Sequence, residues 1–302
     1  MSFPHTFAKV LQTHCNNKSL FNEVLRMNLQ LLTKSNLHTH TSFADGKHTA
    51  EEVVLSAIDA GMDVIGFSEH SFHPHPDIYG MESITLQQEY RQEIARLKVA
   101  YADKIKILCG IEQDSLSGVP SEVYDYVIGS VHNLGFGRDF TAIDLSMQDV
   151  KDAIVKYCGS DPMVYAKAYF EAVARVEEDT QCDIVGHFDL LTKFNERELI
   201  FDTTDPRYIK AGLEALDALL EKDVIFEVNT GAMARGYRTT PYPAPIFLHR
   251  IAEKRGNVTL NSDAHNKNNL TYGFDVALQI LKASGIGSVL TMTPNGWKSI
   301  AI

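Results

Sequence analysis

The chain has 302 residues, of which 44% are hydrophobic and 22% charged, and its formal net charge is −11. These proportions are typical of a globular protein, and no apolar run approaches the roughly 20 residues that span a bilayer. The acidic balance argues against a broad nucleic-acid-binding surface, although bound cations can reverse the sign of the charge locally, so we expect neither a membrane nor a nucleic acid as partner.

Residues 1–34 contain two amphipathic helical patterns, TFAKVLQTH and LFNEVLRMNLQLLTK. We expect them to form a helical extension that precedes a domain over residues 35–302. They lack the basic region, apolar stretch and cleavage site of a secretory signal, which predicts a cytoplasmic location. The four cysteines are far apart and include no C-x-x-C pair: Cys15, Cys109, Cys158 and Cys182. We therefore expect free thiols and neither a disulfide framework nor a thiolate zinc site.

From residue 36 onward, short apolar runs alternate with helical patterns. The seven clearest runs lie at 36–40, 62–70, 105–114, 124–133, 182–189, 224–231 and 257–265. The helical segments between them have recognisable starts, with a capping box from Thr49 to Glu52 and Asp-Pro pairs at Asp161 and Asp205. The segment 83–101 has an apolar stripe that includes Ile84 and predicts a helix covering a sheet. This alternation predicts an α/β fold of parallel strands with crossover helices.

Nearly every run ends in a side chain that can bind a metal. These residues are His38 and His40, His70, Glu112, His132, His187, and Asp263 with His265. In a parallel α/β barrel the carboxyl ends of the strands share one face, where the site is built. Side chains two apart on a strand point the same way, so each close pair can offer two donors to one cavity. Asp45, in the loop after His40, is placed to reach the same rim.

Each residue alone also has an ordinary structural explanation. A histidine at a strand end is often only hydrogen-bonded, and Glu227 inside the sixth run could support a ligand or simply be paired. Glu112 follows the apolar segment KILCGI, where a carboxylate without a cation or strong donors is costly. The recurrence of these residue types at successive strand ends therefore predicts a metal site.

The sequence resembles the polymerase and histidinol phosphatase (PHP) superfamily, and within it the histidinol-phosphate phosphatases. The resemblance extends from about Asn36 to Trp297 and excludes the N-terminal extension. It rests on motifs in the family's order: HTHTSFADGKHTAEEVV, GFSEHS, GIEQD, GSVHNL, VGHFDL, EVNTGAMARG and NSDAHN. It implies a distorted, TIM-like (β/α)7 barrel with a trinuclear metal centre at the C-terminal face of the strands.

The resemblance also implies three sets of metal ligands. They are His38, His40, Glu112 and Asp263 for one metal; Glu112, His132 and His187 for a second; and Asp45, His70 and His265 for the third. Some superfamily members have histidine in the place of Asp45. Glu112, Asp263, His265 and His70 are the residues that we expect to be catalytic.

Hydrolysis of a phosphate monoester requires neutralised phosphate oxygens and a nucleophile stronger than water. Two or three divalent ions supply both, and we expect a hydroxide bridging two of them to attack phosphorus in line. Imidazole and carboxylate ligands suit zinc, manganese or iron without selecting one. Arg235 and Lys193 each follow a strand end by a few residues and can bind the phosphate dianion, although either could be an ordinary solvated cation.

We therefore expect a metal-dependent phosphomonoesterase that converts L-histidinol phosphate to L-histidinol and phosphate in histidine biosynthesis. Another small phosphorylated metabolite is the main alternative, because the segment of about 133–160 that would contact the leaving group has no decodable pattern. An amidohydrolase-type barrel is a less favoured alternative. Such a barrel usually has eight strands and a metal-bridging lysine on the fourth, where this chain has His132. A nuclease-like member or a noncatalytic metal-binding module is less favoured by the acidic charge and the full ligand set. The sequence leaves the oligomeric state open.

Overall fold

The computed structural model describes residues 26–75 and 78–302. Its main feature is a curved nine-stranded sheet. In spatial order the strands are β1 (Ser35–Asn36), β2 (Val64–Phe67), β3 (Lys106–Asp114), β4 (Tyr126–Ser130), β7 (Ile184–Val185), β8 (Ile225–Asn229), β9 (Asn257–Asn261), β10 (Ser288–Thr293) and β11 (Gly296–Ala301). Neighbouring strands from β1 to β10 are parallel, and β11 is antiparallel to β10. A separate hairpin contains β5 (Asn133–Phe136) and β6 (Asp139–Ala142).

Helices follow most of the strands and begin at the predicted signals. They are α1 (Ala50–Asp59), α2 (Ile84–Ala100), α3 (Met147–Tyr157), α4 (Pro162–Val173), α5 (Val176–Thr180), α6 (Pro206–Leu220), α7 (Gly231–Ala234), α8 (Pro245–Lys254) and α9 (Phe274–Ala283). The capping box at Thr49 is present, and Asp161 and Asp205 cap α4 and α6 ahead of a first-turn proline. On α2 the predicted buried stripe is wrong at Ile84, which is 42% exposed, because burial begins one turn later at Gln87.

The seven predicted runs all contain parallel strands, and the first and last of them meet. Thr39 pairs in parallel with Ala264: the His40 N–H donates to the Ala264 carbonyl at 3.0 Å, and the Ala264 N–H to the His38 carbonyl at 3.1 Å. This bridge closes a seven-stranded barrel at its carboxyl end. β10 pairs with β9 at Leu290 and Thr259 and continues the sheet outside that closure. The predicted distorted (β/α)7 barrel is confirmed, whereas the two antiparallel hairpins were not predicted.

Part of the predicted N-terminal organisation lies outside the described residues. Residues 1–25 are not described, residues 26–32 are helical, and the division into a 1–34 extension and a 35–302 domain stays a prediction. Cys109, Cys158 and Cys182 are buried free thiols, as expected, and Cys15 is among the residues not described. Within the described chain, no helix has the length and apolar character needed to cross a membrane.

Tyr126 on β4 links the strands that lead to the site. Its ring packs across β3 and β2, and its hydroxyl donates to the carbonyls of Leu37 and, at 3.0 Å, Phe67. Gly66 and Gly110 make this possible, because a β-carbon at either position would overlap the Tyr126 side chain. Leu37 directly precedes the first candidate ligand, so this packing fixes the start of the site.

We predict that Gly110→Ala lowers the free energy of unfolding by about 1–3 kcal/mol, since the added methyl overpacks the Tyr126 ring. Urea denaturation measures the change. Gly287→Ala is the matched control, because a β-carbon there meets nothing within 4 Å and should change stability by less than about 0.5 kcal/mol. Equal stability of the two variants would contradict this account of the Tyr126 packing.

Candidate metal centre

Eight of the nine predicted ligands lie at the carboxyl ends of the strands, and Asp45 lies in the loop after the first strand. All nine come together around one site. Two backbone pairings set their register. The Thr39–Ala264 bridge places His38 and His40 beside Asp263, and a parallel bridge pairs His70 with Glu112. Burial is nearly complete at the centre of the site, where His38, His40 and Glu112 are at most 1% exposed.

The first group contains His38, His40, Glu112 and Asp263. His38 Nε2 lies 3.1 Å from His40 Nε2, 3.3 Å from Glu112 Oε2 and 3.7 Å from Asp263 Oδ1. His40 Nε2 lies 3.4 Å from Glu112 Oε2 and 3.3 Å from Asp263 Oδ1. Ligand atoms about 2.0–2.1 Å from a tetrahedral zinc are roughly 3.3 Å from one another. The donor atoms of His38, His40 and Glu112 are therefore spaced as ligands of one ion, and Asp263 Oδ1 lies beside the two histidines but outside this three-residue group.

Glu112 Oε2 gives a second indication that the site fits a cation. This atom is buried and has no hydrogen-bond partner, although His70 Nδ1 is only 3.0 Å away and His38 and His40 are also close. The imidazole N–H directions therefore do not satisfy the carboxylate. A buried carboxylate oxygen left in this state is costly, and a divalent cation between the donors would compensate it.

The other oxygen of Glu112 faces a second group. Glu112 Oε1 lies 2.9 Å from His187 Nε2 and 3.2 Å from His132 Nε2, and it accepts a hydrogen bond from Ser130 Oγ at 2.7 Å. The two oxygens of one carboxylate thus contact two different sets of imidazoles. This is the arrangement that a bridging ligand requires.

A third group contains Asp45, His70 and His265, with His40 also within reach. Donor atoms of these four residues all lie within 4.8 Å of one another. His265 Nε2 is 2.8 Å from Asp45 Oδ2, and His70 Nε2 is 3.8 Å from Asp45 Oδ1. The ligand sets are less separate than the resemblance implies, because His40 adjoins the third group and His70 also contacts Glu112.

Backbone strain orients Asp263. Its φ of 46° lies in the left-handed region, which few residues other than glycine adopt without cost. Gly231 leaves room for the resulting side chain, because a β-carbon at that position would come within 2.6 Å of Asp263 Oδ2. The strained residue is thus packed against a glycine from the β8 end, which directs its carboxylate toward the histidines.

Further carboxylates contact the ring nitrogens that face away from the cluster. Glu227 Oε1 lies 2.6 Å from His38 Nδ1, and Asp114 Oδ2 lies 3.5 Å from His132 Nδ1. Glu69 is wholly buried, accepts hydrogen bonds from Thr41, and places Oε2 3.9 Å from His40 Nδ1. The contacts of Glu227 and Asp114 are of the kind that orients metal-binding histidines, whereas His40 Nδ1 and Glu69 Oε2 have no hydrogen-bond partner within the described chain. The sequence did not decide whether Glu227 supports a ligand or is simply paired. It did not identify Glu69 or Asp114, although Glu69 is next to His70 and Asp114 is two residues from Glu112.

His40 and Glu112 have the protonation states that bind metals, whereas neighbouring carboxylates, acting against burial, raise the pKa values of His38, His70 and His132. Burial lowers the pKa of His40 to about 3, and the neighbouring His265 and His70 act in the same direction. Burial alone would raise the pKa of Glu112, but His132, His38 and His70 lower it well below its usual range. The site therefore contains a neutral imidazole and an ionised carboxylate, the forms that bind metals.

A cavity of about 240 Å³ opens onto this cluster, and both predicted phosphate-binding cations line it. Arg235 lies beside the candidate ligands: its Nη2 donates to Asp263 Oδ2 at 3.0 Å, and Nη1 is 2.7 Å from His265 Nδ1. Lys193 is held differently, with Nζ donating to the Asp144 carbonyl at 2.7 Å and to Asp144 Oδ2 at 3.0 Å. Sequence reasoning did not identify Asp144.

An α/β barrel whose strand ends bring imidazoles and carboxylates into overlapping groups defines a protein suited to bind divalent metal. The family model described as "PHP domain" matches residues 36–231, which is more than half of the chain. This chain belongs to the PHP domain family, which confirms the resemblance found in the sequence.

Relatives and a solved structure extend this comparison. A Schizosaccharomyces pombe protein named "Probable histidinol-phosphatase" is 26% identical, with 83% of this chain and 87% of that protein covered. Histidinol-phosphatase of Lactococcus lactis is 25% identical, with coverage of 87% and 95%. The crystal structure of the Lactococcus lactis histidinol phosphate phosphatase, complexed with zinc, L-histidinol and phosphate, matches with a TM-score of 0.64 and 22% identity. That match covers 88% of this chain and 99% of that structure and shows the shared fold.

We predict that Glu112→Gln removes metal and activity together, because the amide cannot supply the negative charge that two adjacent cations share. Elemental analysis of protein purified without chelator is the measurement. Glu196→Gln serves as the control, since this carboxylate accepts from the Thr239 backbone away from the cluster. Full metal content in the Glu112 variant would show that the bridge is misassigned.

Proposed function

We propose that this chain is a metal-dependent phosphatase that hydrolyses L-histidinol phosphate to L-histidinol and phosphate in histidine biosynthesis. The observation that carries the proposal is the buried Glu112 carboxylate, which faces two groups of imidazoles. His70 and His132 from these groups line the neighbouring cavity together with Arg235. The names of the relatives over most of the chain support the choice of substrate.

The proposed ligands are the nine residues of the three groups, and they would hold two to three ions of zinc, manganese or iron. The donor spacing in the first group and the unpartnered Glu112 Oε2 support this assignment. Such ions neutralise phosphate oxygens and make water more acidic near the phosphorus atom. Glu112, Asp263, His265 and His70 are assigned to catalysis because they would hold the ions that activate water, and His70 and His265 also line the cavity.

Arg235 and Lys193 are the proposed phosphate-binding cations. The Arg235 guanidinium fixes Asp263 through Oδ2, so that Oδ1 remains directed at the histidine cluster. Its position at the cavity allows it to bind phosphate oxygens and orient the ester bond for in-line attack by water. Lys193 adds positive charge from the neighbouring wall, where Asp144 restrains its ammonium group.

We also propose that the protein works in the cytoplasm on a small phosphorylated metabolite. The three described cysteines are free thiols, which suits a reducing compartment. The polar cavity lined by Arg235 and Lys193 suits a compact phosphate ester.

A substrate screen with metal analysis tests the proposed function. Protein purified without chelator should contain at least two equivalents of transition metal, hydrolyse histidinol phosphate best in a panel of phosphorylated metabolites, and lose activity on chelation. Restored activity after metal is added back excludes denaturation as the cause of the loss. A metal-free and fully active preparation, or clear preference for another ester, would overturn the proposal.

Arg235→Ala should keep its metals and lose catalytic efficiency. Loss of a charge-assisted contact to a dianion costs about 1.5–3 kcal/mol, which corresponds to a decrease in kcat/KM of roughly tenfold to a few hundredfold. Arg235→Lys should recover only part of this loss, because an ammonium group lacks the planar fork of arginine. Steady-state kinetics with metal content measured in the same samples check both variants, and unchanged kcat and KM in the alanine variant would refute the assignment.

A further inference from the structure

The wall of the cavity next to the candidate metal ligands comes from the segment that the sequence left undeciphered. The β5–β6 hairpin and the residues after it contribute Asn133, Ala142, Asp144 and Leu145 to the cavity lining. Asp144 is the carboxylate of this wall. The other lining carboxylate, Asp45, is one of the proposed metal ligands and lies 2.8 Å from His265.

Asp144 lines the cavity, and only one of its two carboxylate oxygens is hydrogen-bonded within the described part of the chain. Oδ2 accepts from Lys193 Nζ, whereas Oδ1 has no hydrogen bond among the described residues, and the side chain is 27% exposed. Burial favours the neutral acid, but Lys193 and then His132 lower the pKa of Asp144 below its usual value. The cavity therefore presents an ionised oxygen without a partner beside a proposed phosphate-binding lysine.

We infer that Asp144 binds the protonated amine of the leaving group and thereby selects phosphate esters of amino alcohols. The inference rests on the proposed function and deepens it. In histidinol phosphate the amine is attached to the carbon next to the one that bears the ester oxygen, so cation and dianion are close neighbours. Lys193 and Asp144 are likewise adjacent and of opposite charge. A phosphate near Lys193 thus leaves the ammonium group within reach of Asp144 Oδ1.

The remaining lining residues suit the rest of such a leaving group. Tyr79 is 45% exposed and Leu145 is 69% exposed, so both offer apolar surface at the cavity. The Tyr237 ring is held between two cations, with Lys193 Nζ 5.0 Å and the Arg197 guanidinium 4.1 Å from its centroid. These side chains can pack against a flat ring such as imidazole while Asp144 binds the amine.

Asp144→Asn tests the inference, since the amide oxygen can still accept from Lys193 while the negative charge is lost. The substrates are histidinol phosphate and its analogue without the amine, 3-(imidazol-4-yl)propyl phosphate. We expect kcat/KM for histidinol phosphate to fall by roughly tenfold to a few hundredfold, and kcat/KM for the analogue to change less than about threefold. Asp152→Asn is the matched control, because this exposed aspartate on α3 accepts from Gln148 and does not line the cavity. It should alter neither value.

Equal losses on both substrates would leave the ratio of the two kcat/KM values unchanged. That result would indicate a merely structural role for Asp144 and overturn the inference, as would no loss on either substrate. O-phosphoethanolamine and ethyl phosphate form a second pair that differs by the amine. If the wild-type protein hydrolyses these but not histidinol phosphate, the proposed function fails. The inference then stands only if Asp144→Asn selectively impairs the amine-bearing ester.

Discussion

The buried carboxylate of Glu112 is the interaction on which the rest of the site depends. Its two oxygens face five imidazole nitrogens at distances of 2.9–3.4 Å, in a part of the barrel that is almost closed to solvent. An ionised carboxylate is costly to bury without strong compensation. The surrounding histidines give partial compensation, and cations shared among them would complete it. The need to stabilise this one charge explains why so many polar side chains converge at the same strand ends.

The closure of the barrel at the carboxyl end of its strands brings these side chains together. The Thr39–Ala264 bridge joins the first and last of the seven ligand-bearing segments, and Tyr126 ties the start of the site to β2 through two carbonyls. Glu227 and Asp114 then hold the outer nitrogens of His38 and His132. Rigid strands and buried carboxylates thus position the candidate ligands.

The cavity is divided between two sources of residues. Strand ends supply the metal-site histidines and Arg235, whereas the β5–β6 hairpin segment supplies Asp144 and Leu145. Under the proposed function, the first source would serve the phosphate, which is common to all monoesters. The second would face the part of a substrate that differs between them. A change in the hairpin segment can therefore alter the leaving group without disturbing the metal site.

Local features of the amino-acid sequence are enough to predict the class of fold and the candidate ligands. Apolar runs and capping signals are local, and so is the position of a histidine or carboxylate at the end of a run. The β10–β11 hairpin was not predicted because β11 is largely exposed and has no apolar run. Ile84 was wrongly predicted to be buried because the helical spacing of apolar residues does not show at which turn burial begins. The contacts between candidate ligands, such as that of His70 with Glu112, can be read only from the tertiary structure. The same is true of the hydrogen bond from Lys193 to Asp144, two residues that are 49 positions apart in the sequence. Those distances depend on barrel closure and strand register, which arise from contacts between segments far apart in the chain.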